Sequence, residues 1–380
     1  MEGTTAAVPV AELVAICGPD RVVTEHHALR TYESDGLLQY AAVPAAAVLP
    51  DTTEEVAAVV AACHRAGVPW VARGSGTGLS GGALPVEDGV LISLARMRRI
   101  VAVDLPNQRV VVQPGVTNAQ VTAAVAPTHF YPPDPSSQII CSIGGNVAEN
   151  SGGVHCFKYG FTTNYVTGAE VVLPDGEVVR LGGTELDRPG YDLLGAFVGS
   201  EGTLGIATKV TLRLLRKPEA VRTLMAAFQG TDHAGDAVSR IIAAGIVPAA
   251  IEMMDELAME AAEAAVHVHY PEGAGAVLIV ELDGPAAEVE HLIGRVESIA
   301  KDCDAVSVLA SNNEAERLLF WAGRKAAFPA VGRISPDYYC MDGTIPRAKL
   351  PQVLKRMREL SEHYGLRVAN VFHAGDGNLH

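Results

Sequence analysis

The sequence predicts an α+β fold with two domains, divided near Lys217-Pro218. Short apolar runs bounded by glycine and proline predict that the first domain is rich in strands. A glycine-rich loop in that half lacks the helix that a Rossmann fold places after it. From Val221 onward, strands and helices alternate in the order of a ferredoxin-like sheet.

Composition places the chain among folded globular proteins. Of its 380 residues, 48% are hydrophobic and 19% are charged, and the length suits two or three domains. The 38 Gly and 22 Pro sum to 60 residues, about 16% of the chain, which is below the level of disordered or low-complexity chains. The formal net charge, 29 − 44 = −15, argues against a nucleic-acid surface, because phosphate contacts need clustered Lys and Arg.

The sequence predicts a cytoplasmic protein without a membrane span of its own. No apolar run approaches the roughly 18 residues that a spanning helix needs. The N-terminal segment MEGTTAAVPVAEL has no basic stretch and includes Glu12, so we do not expect a signal peptide. Six cysteines lack CxxC spacing. We expect reduced thiols, with neither a zinc site nor an iron–sulfur cluster built from them.

In the first half, local patterns predict buried strands, one helix and one hairpin. The predicted strands are Val43–Leu49, Val68–Ala72, Val90–Leu94, Arg109–Gln113 and Leu204–Leu215. A threonine before two glutamates, apolar residues at three- and four-residue spacing and a final glycine predict a helix over Thr53–Gly67. Asp-Gly between two β-rich runs predicts a hairpin over Val166–Leu181.

In the second half, strands alternate with helices. The predicted strands are Val221–Phe228, Pro248–Met253, Ala276–Leu282, Ala305–Leu309 and Leu366–Phe372. The predicted helices are Asp232–Ala244, Glu256–Val266, Pro285–Lys301, Glu314–Phe328 and Leu350–Tyr364. The order β-α-β, (α)β-α-β predicts a split βαβ, ferredoxin-like sheet with its helices on one face.

A glycine loop at residues 73–83, RGSGTGLSGGA, follows an apolar strand. Backbone with few side chains can bring several N–H groups to one anion, as diphosphate binding requires. Gly76, Gly78 and Gly81 formally satisfy GxGxxG, but Pro85 and a turn stand where a dinucleotide fingerprint needs a helix. A Rossmann loop and a plain surface loop are the alternatives, and the residues favour an anion cradle that includes Arg73.

Two further segments are rich in small residues: PPDPSSQIICSIGGNVAENSGG at 132–153 and VGSEGTLGI at 198–206. Asn and Ser supply donors and acceptors for ring edges, hydroxyls and phosphate. Three such segments predict a long nucleotide held mainly by backbone. Specifically, we expect the amides of residues 73–83 and 142–153 to hold it without help from a helix dipole.

These segments, with residues 321–346 (WAGRKAAFPAVGRISPDYYCMDGTIP) and the final HAGDGNLH, resemble in order the FAD-linked 2-hydroxyacid oxidases of the vanillyl-alcohol oxidase superfamily. The likeness covers nearly the whole chain and is strongest with the D subunits of bacterial glycolate oxidases. It implies a non-Rossmann, two-subdomain FAD-binding domain of PCMH type at residues 1–217 and a ferredoxin-like substrate or cap domain at 218–380. Thr77 stands where covalent relatives carry His, which implies non-covalent FAD.

On this resemblance, the residues expected to bind FAD lie in the three small-residue segments. They are Arg73, Gly74, Ser75, Gly76, Thr77, Gly78, Ser80, Gly81, Pro133, Asp134, Ser142, Gly144, Gly145, Asn146, Asn150, Gly152, Gly153, Glu201, Gly202 and Ile206.

The C-terminal motif places His373 and His380 on either side of a GDGN turn. Such an imidazole pair is a common divalent-metal half-site, although two histidines can equally be structural or surface residues. The resemblance implies that both are metal ligands and catalytic residues. The metal would polarise the 2-hydroxyl of the substrate while hydride moves to the flavin.

Arg324 lies in an apolar context that suits bidentate capture of a carboxylate, with a solvated helix residue as the alternative. The resemblance implies that it is the catalytic-site arginine that binds the substrate carboxylate. Some relatives carry Thr and Lys where this chain has Phe328 and Cys340. The substrate is therefore expected to be a small 2-hydroxy acid, glycolate or D-lactate, and not a dicarboxylate.

Relatives continue past HxGDGNxH to a Gly-Glu-His-Gly motif that supplies a further metal ligand and the general base. This sequence ends at His380, so we expect a truncated C-terminal part, a metal site without its third ligand and little turnover by the chain alone. The alternative function is a catalytically impaired flavin-binding subunit of an oxidoreductase complex. A nicotinamide dehydrogenase is a third possibility.

The resemblance also implies partners. Electrons would leave the flavin to a non-NAD acceptor through a companion FAD-domain subunit and an iron–sulfur subunit. Those subunits would hold this chain peripherally at the inner membrane.

Overall fold

The computed structural model describes residues 7–184 and 190–380, so the first six residues of the N-terminal segment lie outside the described part. The chain divides into two compact units. The first contains the chain up to Gly153 together with Gly160–Lys217. The second contains Val154–Tyr159 and Pro218–His380. A six-residue segment from the middle of the first unit's sequence therefore packs with the second.

The elements are numbered along the chain. The helices are α1 Val10–Cys17, α2 His26–Leu29, α3 Thr53–Ala66, α4 Asn118–Val125, α5 Ile143–Glu149, α6 Cys156–Tyr159, α7 Leu193–Phe197, α8 Thr231–Ala243, α9 Glu256–Val266, α10 Ala286–Asp302, α11 Glu314–Val331 and α12 Leu350–Tyr364. The strands are β1 Val22–Val23, β2 Ala46–Val48, β3 Trp70–Arg73, β4 Val90–Ser93, β5 Ile100–Asp104, β6 Arg109–Val112, β7 His129–Phe130, β8 Val166–Val172, β9 Val178–Gly182, β10 Ile206–Arg213, β11 Leu215–Arg216, β12 Ala220–Phe228, β13 Ala250–Asp255, β14 Ala276–Gly284, β15 Ser307–Ala310, β16 Gly343–Thr344, β17 Val371–His373 and β18 Asn378–Leu379.

The first unit is built on two main sheets. One has the order β1-β2-β4-β3, in which β2, β4 and β3 run parallel, and the other is antiparallel with the order β5-β6-β10-β8-β9. A further two-stranded sheet pairs β7 with β11. Helix α3 buries Val56, Val59 and Val60 against the first sheet. The predicted strands of this half are present, although the predicted run to Leu215 is divided between β10 and β11.

Helix α3 begins and ends as its sequence predicts. The hydroxyl of Thr52 accepts a hydrogen bond from the N–H of Glu55 at 3.2 Å, which satisfies one of the unpaired first-turn donors. Gly67 closes the helix in the left-handed region with φ of +64°, a conformation that glycine adopts without steric cost. The predicted hairpin is also present, as β8 paired with β9.

The second unit contains one antiparallel sheet of order β15-β12-β14-β13-β17-β18-β16. Its first four strands have the split βαβ arrangement that the element order predicts. The additional helix that we predicted between the second and third strands of this arrangement is α9, between β13 and β14. Beyond β13, the C-terminal hairpin of β17 and β18 extends the sheet and brings the HAGDGNLH motif to its edge region.

The expectation that all helices cover one face is wrong. Leu224, Ala226 and Phe228 of β12 pack in one core with α8, α10 and α12. Met225 and Ala227 of the same strand pack in a separate core with α9 and α11. Side chains alternate between the two faces of a strand, so a strand in a sheet that is covered on both faces is a continuous apolar run in the sequence. Such a run does not show which face a helix will cover.

Three local expectations also differ from the structure. The predicted strand Leu366–Phe372 is reduced to the three residues of β17. Residues 142–153, for which no helix was predicted, contain helix α5. Helix α4 was not predicted at all. Within the described ranges, no helix is both long and apolar enough to cross a bilayer.

Candidate functional site

The three small-residue segments line one cleft in the first unit, here called the glycine cleft. It is an open cleft with about 1040 Å³ of empty space when its open side is included. Its lining residues are Ala72, Arg73, Gly74, Ser75, Gly76, Thr77, Gly78, Gly82, Ala83, Leu94, Pro114, Pro135, Ser137, Cys141, Ser142, Gly144, Gly145, Asn146, Val147, Ala148, Glu149, Ser151, Phe197, Ser200, Glu201, Gly202, Gly205, Ile206 and Ala207.

Most of the residues expected to bind FAD are brought together in this cleft. Those that line it are Arg73, Gly74, Ser75, Gly76, Thr77, Gly78, Ser142, Gly144, Gly145, Asn146, Glu201, Gly202 and Ile206. Those that do not are Ser80, Gly81, Pro133, Asp134, Asn150, Gly152 and Gly153. Two of the latter make close contacts to other parts of the first unit. Gly153 lies so close to the backbone of Asp134 that a Cβ would overlap it, and the Asn150 side chain accepts from the N–H of Thr163 at 2.9 Å.

The main-chain amides of the first segment are free to bind an anion. Among residues 7–184 and 190–380, the N–H groups of residues 74–78 make no hydrogen bond to another protein group. Backbone donors that are not paired within the protein need water or a ligand. A concave loop of such donors is a common anion-binding arrangement.

Glycine is required where the first two segments touch. A Cβ on Gly74 would overlap the Oγ of Ser142, the residue that caps α5. Gly76 has φ of +67°, which disfavours any residue with a Cβ. The close approach of the two segments thus depends on the absence of a side chain at Gly74, whereas Gly76 allows the backbone turn within the first segment.

Arg73 lines the cleft and also holds the loop in place through its own contacts. Its Nη1 donates to the carbonyl oxygens of Ser34 at 2.7 Å and of Tyr32 and Ala83 at 3.3 Å. Burial lowers the pKa of this guanidinium. The contacts tie the loop to residues 32–34 and hold it in its observed position.

The second segment, whose amides we expected to hold the nucleotide without a helix dipole, includes a helix that the sequence did not predict. Ser142, Gly144 and Gly145 form the start of α5 and line the cleft. The first-turn amides are nevertheless paired within the protein: Ile143 donates to Val116 at 2.9 Å and Gly144 to Pro114 at 2.8 Å. Burial of Ile143 and Val147 explains why this stretch is helical despite two glycines, because tertiary packing outweighs weak local propensity.

Glu149 is a cleft residue that the sequence interpretation missed. Its Oε2 accepts from the hydroxyl of Ser80 at 3.1 Å. Burial raises the pKa of this carboxyl, and the charges of Glu201 and Asp35 add to the effect. A half-buried acid beside unpaired amides makes the charge of the glycine cleft depend on pH.

In the second unit, Arg324 and His373 share one buried carboxylate, that of Glu252. The Nε–H of Arg324 donates to Glu252 Oε2 at 2.8 Å, and its Nη2 lies 2.8 Å from the same oxygen. His373 Nδ1 lies 2.8 Å from Glu252 Oε1. Glu252 and Arg324 are 1% and 2% exposed. Arg324 is therefore buried and paired, which excludes the solvated alternative.

A second buried carboxylate, Glu281, anchors the same helix. Its Oε2 accepts from Arg317 at 3.0 Å, Trp321 at 2.6 Å and Thr223 at 2.7 Å. Its Oε1 lies 3.0 Å from His155 Nε2. Burial alone would raise the pKa of Glu281, but the hydrogen bond and charge of His155 and the charge of Arg317 lower it to about 2.

Neither glutamate was predicted as a site residue. Each stands in an otherwise apolar strand, in AAIEMMD and VLIVELDG. That pattern was an available signal, because Glu is rarely buried unless it is paired. The partners could not be deduced from the sequence, since they come from other strands and from α11.

His373 and His380 lie together, as their motif predicts. Their ring centroids are 5.0 Å apart in an edge-to-face arrangement. His380 Nδ1 lies 3.2 Å from Asp342 Oδ2, although without the geometry of a hydrogen bond, and the Phe328 ring packs on its edge at 5.5 Å. Burial disfavours the imidazolium of His373, but the charge of Glu252 and the hydrogen bond to it raise the pKa of His373 above its ordinary value.

The described residues do not form a complete metal site. A histidine–carboxylate contact is the usual outer-shell pattern of metal-binding histidines. However, within residues 7–184 and 190–380, no group of three or more His, Cys, Asp or Glu side chains is arranged to hold a metal ion. A catalytic site normally has three protein ligands.

Two family models match this chain, one in each half of the sequence. The family model for the FAD binding domain matches residues 44–182, and that for FAD linked oxidases, C-terminal domain, matches residues 217–380. Glycolate oxidase subunit GlcD of Escherichia coli (strain K12) is 56% identical over 350 residues, which are 92% of this chain and 70% of that protein. GlcD of Bacillus subtilis (strain 168) is 40% identical over 371 residues, 97% and 79% of the two chains.

A D-lactate dehydrogenase of Anaerostipes hadrus is 35% identical over 372 residues, 95% of this chain and 78% of that protein. Among solved structures, an alkyldihydroxyacetonephosphate synthase has a TM-score of 0.82 at 22% identity, and the match covers 97% of this chain and 79% of that one. This last likeness concerns the fold alone. The two family models and the identities above show that this chain is a member of the FAD-linked oxidase family, an FAD-dependent group of oxidoreductases.

Proposed function

We propose that this protein oxidises a small 2-hydroxy acid, glycolate or D-lactate, to the 2-oxo acid with non-covalently bound FAD. The observation that carries the proposal is the row of unpaired amides at residues 74–78 in the glycine cleft of an FAD-linked oxidase. The names of the relatives, glycolate oxidase subunit and D-lactate dehydrogenase, support the choice of substrate.

The glycine cleft fits the cofactor in chemistry. Unpaired backbone donors suit a diphosphate, and Asn146 and Ser142 add side-chain groups at the same surface. Thr77 lies in the lining and has no nucleophile suited to a covalent flavin link. We assign the FAD-binding domain to residues 1–217 and the substrate domain to residues 218–380.

Bound FAD supplies the two-electron acceptor. The remaining tasks, which are to hold the substrate carboxylate and to take the proton of the hydroxyl group, belong to residues of the protein. Arg324 has donors beyond those used by Glu252 and can bind the carboxylate as a bidentate pair. His373 uses Nδ1 toward Glu252, which leaves Nε2 as the proton acceptor for the 2-hydroxyl. Phe328 beside His380 supplies no donor for a second carboxylate.

The proposal extends to assembly. Relatives at 56% and 40% identity are named as subunits of glycolate oxidase. We propose that electrons leave this chain through companion subunits, a second FAD-domain protein and an iron–sulfur protein, and not through NAD. Co-expression with candidate companions, followed by pull-down, tests this part.

Two measurements test the function. The purified chain should be yellow, and acid precipitation should release FAD into the supernatant. A colourless chain that takes up no FAD would contradict the proposal. Dye reduction should then be compared for glycolate, D-lactate, L-lactate and 2-hydroxyglutarate, with the chain alone and with its companions. Preference for 2-hydroxyglutarate contradicts the small-acid assignment, and FAD binding without turnover of any acid supports the impaired-subunit alternative.

A further inference from the structure

Glu252 is a charged residue in a position where charge is costly. It lies in the middle of β13, is 1% exposed and shares its face of the strand with Ala250 and Met254, which are part of a buried apolar core. An ionised carboxylate in such surroundings is stable only when it is paired and hydrogen-bonded. The residues that pair with Glu252 therefore indicate its role.

The partners come from two different elements. Arg324 lies on α11, whereas His373 lies on β17, directly opposite Glu252 in the antiparallel register. Each carboxylate oxygen has one of them: Oε2 is used by Arg324 and Oε1 by His373. One side chain thus sets the position of two groups that are separated by 49 residues in sequence, 373 − 324.

The contact to His373 also determines its tautomer. A carboxylate accepts but does not donate, so Nδ1 must carry the proton. In the neutral ring, Nε2 is then the lone-pair nitrogen. For Arg324, the pairing holds Nε and Nη2 in place and leaves the other donors of the guanidinium for a ligand.

We propose that Glu252 is a positioning residue that prepares Arg324 and His373 for the substrate at once. The proposal rests on the function proposed above, in which Arg324 holds the carboxylate and His373 takes the hydroxyl proton. Loss of the carboxylate then weakens substrate binding through Arg324 and slows the reaction through His373. A merely structural glutamate would lower stability and leave both constants unchanged.

Glu281 is the matched control. It lies on the adjacent strand, is 3% exposed, and contacts α11 through Arg317 and Trp321 without contacting Arg324 or His373. E252Q and E281Q therefore make the same chemical change at equally buried positions under the same helix. Each variant is first compared with the wild type for flavin content and thermal unfolding.

The first test does not need activity. Histidine ring ¹⁵N spectra of the full chain, with His373 assigned through H373N, should show a proton on Nδ1 at a pH where the ring is neutral. E252Q should shift the His373 signals, whereas E281Q should leave them in place. A wild-type ring protonated at Nε2, or an E252Q spectrum unchanged at His373, overturns the proposal.

The second test uses steady-state kinetics with glycolate and a dye acceptor. E252Q should lower kcat/KM about 10- to 100-fold, less than the roughly 100- to 10,000-fold contribution of a general base itself, with KM raised and kcat lowered together. E281Q should keep both constants near the wild-type values. Equal losses in the two variants mean that Glu252 is only structural.

The two proposals can fail separately. If the wild type oxidises none of the acids, the proposed function fails, and the ring spectra still decide whether Glu252 positions His373. If E252Q does not fold, the proposal is tested by the tautomer of His373 in the wild type and by the kinetics of E252D. E252D keeps the charge but has too short a side chain to reach both partners, so wild-type kinetics in a folded E252D overturn the proposal.

Discussion

Glu252 and Glu281 lie on adjacent antiparallel strands, and both carboxylates face helix α11. The register pairs Glu281 with Ala250 and Glu252 with Ile279, so the two side chains point to the same face of the sheet. The α11 residues that meet them, Arg317, Trp321 and Arg324, are spaced by four and three residues and form one helical stripe. The helix is thus attached to the sheet by polar contacts at two points.

Acid should weaken the second unit through Glu281. Its pKa is lowered from 4.5 to about 2 in the folded chain, so its stabilisation is present above pH 4.5 and is lost as the pH falls toward 2. A shift of this size corresponds to on the order of 3 kcal/mol. Urea unfolding of the wild type and E281Q between pH 7 and pH 2.5 should show curves that converge at low pH.

The control for this prediction is E290Q. Glu290 is 61% exposed and pairs with Arg222 at the surface, where ion pairs contribute roughly 0–1 kcal/mol. Its pH profile should follow that of the wild type. If E281Q runs parallel to the wild type across the whole range, the buried carboxylate does not make this contribution.

FAD affinity should fall as the pH rises, because of Glu149. Burial raises the pKa of this cleft carboxyl above 4.5. The neutral acid predominates below the raised pKa and does not repel a diphosphate, whereas the carboxylate above it does. Fluorescence titration of FAD from pH 4.5 to pH 8 should give a weaker pH dependence and tighter binding at high pH for E149Q.

Glu177 offers a comparison for Glu149, since it is an exposed carboxylate outside the cleft lining. E177Q should bind FAD as the wild type does at every pH. Weaker FAD binding by E149Q than by the wild type would mean that Glu149 accepts a hydrogen bond from the cofactor, and the repulsion argument would be wrong.

A methyl group at Gly74 should separate two walls of the glycine cleft. Because the new Cβ overlaps Ser142 Oγ, G74A should destabilise the chain by about 1–3 kcal/mol through overpacking and weaken FAD binding. Differential scanning fluorimetry and FAD titration measure the two effects.

The double variant G74A/S142A tests whether the overlap between the new Cβ and Ser142 Oγ causes the destabilisation. Removal of the hydroxyl relieves the overlap, although S142A alone should cost about 1 kcal/mol through loss of the α5 N-cap. The double variant should therefore be more stable than the sum of the single changes predicts. Strict additivity would show that the overlap is not the source of the effect.

Local features of the fold were predictable because short-range physics decides them. Thr52 and Gly67 delimit α3, Asp175-Gly176 turns the β8–β9 hairpin, and the element order of the second unit produces its strand order. Prediction failed where tertiary packing overrode local preference. Helix α5 forms through two glycines because Ile143 and Val147 are buried.

By itself, the sequence determined the family, the three small-residue segments and the pairing of His373 with His380, because each is written in contiguous residues. Only the tertiary structure decided that Arg324 and His373 share Glu252, that Glu149 faces the cleft and that helices cover both faces of the second sheet. These contacts join residues far apart in the chain. Burial then decides which partners these groups have, because a charge or a hydrogen-bond donor left unpaired in the interior carries a large free-energy cost.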